Sequence, residues 1–95
     1  MPETYWTVRW PDGAEERCYS PSSVVAELFE PGTTYPLPDF LARSRIAMER
    51  ASNRVAAKYG YACTSAMAQL DRIEAQAARF EGQGGAEVTC LAISR

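Results

Sequence analysis

The stretch Leu37-Pro38-Asp39-Phe40-Leu41-Ala42-Arg43-Ser44-Arg45-Ile46-Ala47-Met48-Glu49-Arg50-Ala51-Ser52-Asn53-Arg54-Val55-Ala56-Ala57-Lys58-Tyr59-Gly60 decides the fold. At about 100° per residue, Phe40, Leu41, Ser44, Ala47, Met48, Ala51, Val55 and Tyr59 fall within one third of the circumference, the width of stripe that a helix buries on one side. Pro38 suits the first turn, where its missing N–H costs nothing, and Gly60 suits the left-handed position that ends a helix. A second helical pattern follows the short joint Tyr59-Gly60-Tyr61-Ala62-Cys63-Thr64. It places Ala66, Leu70, Ile73, Ala77 and Phe80 on one side and Gln69, Arg72, Gln76 and Arg79 opposite. Thr64 reads as its N-cap, and Gly82, Gly84 and Gly85 stop it. So short a connection predicts two adjacent, antiparallel helices, the only large apolar surface in the chain.

Everything before and after this hairpin reads as strands and turns that need a surface to cover. Residues 4–10 alternate, with Trp6, Val8 and Trp10 on one face and Tyr5, Thr7 and Arg9 on the other. Pro11-Asp12-Gly13 makes a three-residue hairpin loop pairing Trp10 with Ala14. The same register sets Arg9 opposite Glu15 and Cys18 opposite Trp6, so Cys18 reads as a core residue. Ser20-Pro21-Ser22-Ser23 reads as a cap and first turn for a short helix carrying Val24, Val25, Leu28 and Phe29, which Pro31-Gly32 ends. Thr33-Thr34-Tyr35-Pro36 is extended, at most a short edge strand because of its proline. Glu87 to Ile93 is a strand with apolar residues on both faces, and it belongs inside the sheet or under a partner. The expected fold is α+β: a mainly antiparallel three-stranded sheet from residues 4–10, 14–19 and 87–93 on the two-helix hairpin, plus one short helix.

The 95 residues, 46% of them apolar, suffice for a single domain spanning 1–95 with a modest core. There is no run of 18 apolar residues and the N-terminus has no basic start followed by an apolar stretch, which predicts a cytoplasmic protein without a membrane span. The three cysteines, 18, 63 and 90, are odd in number and far apart, which fits reduced thiols rather than a disulfide scaffold. The net charge of −2 hides an asymmetry. Residues 1–39 carry a net −5 and residues 40–80 a net +4. Either the molecule is bipolar, or strand and turn carboxylates fold over the helix arginines.

Histidine is absent, which removes the usual general base along with Ser-His, Cys-His and His-metal arrangements. No CxxC supports a zinc or iron–sulfur site, and no glycine-rich phosphate loop precedes a helix. Glu15 and Glu16 point to opposite faces of their strand. No cofactor and no metal is expected, and independent catalysis is disfavoured. Nucleic acid is disfavoured too, because the total charge is negative and the aromatic residues lie away from the arginines.

Two features remain as candidate sites. Arg43, Arg50 and Arg54 share a narrow sector beside the apolar stripe, extended by Lys58. Arg43 has Asp39 four residues earlier, but Arg50 and Arg54 have no acid within helical reach. Such a row can hold a phosphate, a carboxylate or an acidic partner surface; the structural alternative is a solvated or internally paired face. Cys63, just before the second helix, sits where the positive end of the helix dipole favours a thiolate. Its structural alternative is a small buried residue packing the helix joint.

Four strings, Thr7-Val8-Arg9-Trp10-Pro11-Asp12-Gly13, Arg17-Cys18-Tyr19-Ser20-Pro21-Ser22, Ala42-Arg43-Ser44-Arg45 and Lys58-Tyr59-Gly60-Tyr61-Ala62-Cys63, resemble a small bacterial family of nitrogen-starvation-response proteins. The resemblance spans nearly the whole chain. It implies a gene neighbourhood containing a nitrilase, a radical-SAM protein, an acetyltransferase, an aminoimidazole-ribonucleotide-synthase-like protein and a flavoprotein, linked to nitrile or cyanide assimilation. It carries no assigned activity, so no site residue follows from it.

Two functions from different classes are then expected. The first is a non-catalytic accessory protein whose partner is one of the enzymes of that gene cluster. The second is a small thiol-dependent enzyme or carrier using Cys63 on an electrophilic metabolite. Self-association into a homodimer is a further expectation, resting on the doubly apolar last strand and the extended edge at 33–36.

Overall fold

In a computed structural model, described for residues 3–60 and 64–94, the elements run β1 (Thr4–Arg9), β2 (Glu15–Ser20), α1 (Val25–Leu28), β3 (Thr34–Pro36), α2 (Leu37–Tyr59), α3 (Thr64–Ala78) and β4 (Glu87–Ser94). The strands form one antiparallel sheet in the order β2-β1-β4-β3.

The β1–β2 hairpin has the register that its loop dictates. Trp10 N–H donates to the Ala14 carbonyl at 2.8 Å and Gly13 N–H to the Trp10 carbonyl at 2.8 Å. Gly13 takes the positive φ of 89° that such a loop demands. Arg9 then pairs with Glu15, and Trp6 with Cys18. β4 lies between β1 and β3, so both its edges are paired, while Val88 and Cys90 face the core and Ile93 packs against it. An extra residue, Leu91, is accommodated where Val8 pairs with Cys90 but Thr7 with Ala92, a β-bulge that bends the strand.

Three strands were expected and the sheet has four, because Thr34–Pro36 pairs with β4 through Thr34↔Thr89, Tyr35↔Val88 and Pro36↔Glu87. A proline is tolerated there because β3 is an edge, where its missing N–H removes no ladder bond. α2 ends at Gly60, left-handed at φ 81°, with its N–H on the Ala56 carbonyl at 2.7 Å. Thr64, expected as a cap, is the first helical residue of α3, and the joint residues 61–63 lie outside the described residues. Arg45, in the first half of α2, meets Glu74, in the second half of α3, at 3.3 Å, as antiparallel helices require.

One face of the sheet carries the core. Trp6, Val8, Trp10, Cys18, Val88 and Cys90 are buried against Phe40, Ala47 and Met48 of α2 and Ala66, Leu70, Ile73 and Ala77 of α3. An aromatic chain threads it, from Trp6 stacked on Phe29 at 6.0 Å, to Phe40 at 5.5 Å, to Trp10 at 5.4 Å and on to Phe80 at 6.2 Å. Each such pair contributes roughly 0.5–1.5 kcal/mol beyond its buried area. The opposite face bears Tyr5 and Thr7, half-buried, and Arg9 and Arg17, exposed. There the Arg17 guanidinium lies 4.0 Å from the Tyr5 ring centroid.

Gln69 departs from expectation. Its helical position put it with the solvent-facing residues, yet it is buried and its Oε1 accepts the Tyr19 N–H at 3.0 Å. Tyr19 belongs to β2, the other edge of the sheet, so α3 occupies an edge group with a side chain in place of a strand.

Candidate functional site

The arginine row on α2 is brought together by helical spacing, but its members have different fates. Arg43 is half-buried and tied down: its Nε donates to the Asp39 carboxylate at 3.0 Å and an Nη to the Leu28 carbonyl at 2.6 Å. The same guanidinium stands 4.9 Å from the Tyr35 ring centroid. Leu28 ends α1, so this bond satisfies a carbonyl that a helix terminus leaves orphaned. Tyr35, in turn, accepts the Glu30 N–H on its hydroxyl at 2.9 Å. Arg43 thus fastens the segment from α1 to β3 onto α2.

Arg54 meets Glu27 of α1 at 3.6 Å, with both side chains about half exposed or more. Such a contact is worth about 0–1 kcal/mol and is open to exchange. Arg50 is exposed and makes no ion pair or side-chain hydrogen bond among the described residues. Lys58 lies in the last turn of α2 and is exposed. The acidic first part of the chain therefore folds over the row at Glu27, one turn away from Arg50. Helix periodicity shows the row but not α1, since Glu27 and Leu28 reach it from another element; only the charge asymmetry between the two chain segments signalled such a pairing.

Cys63 lies outside the described residues. The other two thiols are buried, and burial pushes both up from the ordinary thiol range. For Cys18 the neighbouring Glu16 charge adds to burial and Arg72 partly offsets it. Neither has the exposed, electropositive surroundings of a reactive thiolate. Among the described residues, no group of three or more His, Cys, Asp or Glu side chains is placed to hold a metal ion. No helix there is long and apolar enough to cross a membrane.

The fate of the two indole N–H groups was not visible in the sequence. Trp10 Nε1 donates to Glu16 at 3.1 Å, which gives the buried indole its partner and fixes one acid of the Glu15-Glu16 pair. The indole N–H of Trp6 has no partner among the described residues. Alternation alone placed both indoles inside but not their N–H groups.

A family model described as nitrogen starvation-induced protein NitG matches residues 5–93. Neither a curated protein nor a solved structure matches the chain.

Proposed function

The chain belongs to the NitG family of nitrogen starvation-induced proteins, and we propose that it serves that response as a non-catalytic accessory protein, holding an acidic partner through Arg50 and Arg54. The observation behind this reading is Arg50, an exposed guanidinium on a rigid helix with no partner among the described residues, four residues from an arginine whose own partner is exchangeable. Two guanidinium groups one turn apart offer a fork to a carboxylate or phosphate. By its resemblance to proteins encoded with nitrilase and other nitrile- or cyanide-assimilation enzymes, the chain takes its partner from that set. Cys63 is not required as a nucleophile in this reading.

The test is co-purification from the native host with the wild-type chain, the Arg50→Gln/Arg54→Gln double variant and Cys63→Ser. The double variant loses the partner while melting as wild type does, and Cys63→Ser keeps it. Loss of function in a folded Cys63→Ser protein, with the arginine variant silent, moves the assignment to the thiol.

A further inference from the structure

A cleft of about 480 Å³ opens where the start of α2 meets the turn after α3. Its volume lies within the range of small-molecule sites. Leu37, Leu41, Phe80 and Ala86 supply apolar walls, and two charged residues line it, Arg45 and Glu81. The backbone at this corner is held, since the Leu37 N–H donates to the Ala86 carbonyl at 3.0 Å and the Gln83 N–H to the Phe80 carbonyl at 3.0 Å. Arg45 is steadied by Glu74 through one Nη at 3.3 Å, which leaves the other N–H groups of its fork available. Glu81 has no ion-pair or hydrogen-bond partner among the described residues.

We propose that this cleft binds a free apolar α-amino acid, with the carboxylate on Arg45, the ammonium on Glu81 and the side chain against Leu37, Leu41 and Phe80. The choice follows from what each simpler ligand leaves unpaired. An apolar acid answers Arg45 but sets a second carboxylate beside Glu81. An apolar amine answers Glu81 and sets a cation beside Arg45. A neutral hydrocarbon desolvates both charges and pairs neither, which is costly. A zwitterion carrying an apolar group answers all three features. A ligand of so few atoms in a half-open cleft binds with Kd on the order of 0.1–1 mM.

The experiment is a titration of the full chain with L-leucine, hexanoate and hexylamine, read by the amide chemical shifts of Leu41, Gln83 and Ala86. Leucine is expected to bind tightest and to move those amides. Arg45→Gln and Glu81→Gln each weaken leucine by about tenfold or more, the size of one lost charge-assisted bond. Arg45→Gln also raises the ranking of hexylamine, and Glu81→Gln that of hexanoate. Glu74→Gln, which frees Arg45 without touching the cleft, leaves leucine bound. Equal affinity for the three probes, shifts confined to other residues, a silent Arg45→Gln or Glu81→Gln, or loss of binding in Glu74→Gln overturns the assignment.

Discussion

The guanidinium of Arg43 donates to the carbonyl oxygen of Leu28 at 2.6 Å, joining the end of α1 to the second turn of α2. A charged donor on a partly buried carbonyl contributes about 1.5–3 kcal/mol, and its removal leaves the oxygen poorly solvated. Arg43→Gln is expected to lower unfolding stability by about 1–3 kcal/mol in urea titration, whereas Arg50→Gln changes it by less than about 0.5 kcal/mol. Equal costs at both positions would show that Arg43 is not the fastener.

Glu27 competes with any acidic partner for Arg54. Removing that competitor in Glu27→Gln is expected to strengthen partner binding by about two- to fivefold, the equivalent of a surface ion pair. Binding should also weaken as ionic strength rises, because exposed charges are screened. A surface-plasmon titration of wild type and variant at two salt concentrations reads both effects.

The two tryptophans should respond differently to the same change. Trp10→Phe removes the hydrogen bond to Glu16, whereas Trp6→Phe removes a buried N–H that has no partner. Both lose similar volume, so the hydrogen bond decides the ranking. Trp10→Phe is expected to cost about 1–2 kcal/mol more than Trp6→Phe, measured by chemical denaturation with a constant denaturant slope.

Cys18 titrates higher in the folded protein than in the unfolded chain, because burial disfavours its thiolate. The native state keeps the proton where the unfolded state gives it up, so this contribution to stability is intact below the unfolded pKa and declines above about pH 8.5. The loss of stability on raising the pH further should be shallower in Cys18→Ala than in wild type. Iodoacetamide should leave Cys18 and Cys90 unmodified in the folded protein and label both in urea.

Both edges of the sheet are guarded, β3 by Pro36 and β2 by the Gln69 side chain on the Tyr19 N–H. Strand addition at either edge is thereby discouraged. Gln69→Ala frees the Tyr19 group, and a rise in mass by light scattering with increasing concentration is the expected outcome. A Pro36→Val change should act in the same direction on β3.

Local patterns were the legible part of this fold. Alternation at Trp6, Val8 and Trp10, the Pro11-Asp12-Gly13 loop and the stripe from Phe40 to Val55 involve neighbours in sequence, and the hairpin register followed from them. What stayed hidden depends on distant partners. Thr34–Pro36 joins the sheet only because β4 arrives from more than fifty residues later. Gln69 goes inside because Tyr19 offers it an N–H, a reason that helical spacing does not contain. For the arginines, spacing showed which side chains share a face, while Glu27 and Leu28 decide which of them remains available. The cleft beside Arg45 required the turn at 80–86 to meet the start of α2, and no periodicity describes that meeting.

The interior place of β4 has a consequence for how the chain is made. β1 and β3 do not touch through hydrogen bonds; each pairs with β4, the element synthesised after both. Before residues 87–94 are translated, the β1–β2 hairpin and the helices have their partners, but β3 and the second edge of β1 do not. Two ladders and the burial of Val88 and Cys90 wait for residues 87–94 to emerge. Phe29, Phe40 and Phe80 can already cover the indoles of Trp6 and Trp10 by then, so what waits is the sheet itself, and its assembly is a single late closure of long-range contacts.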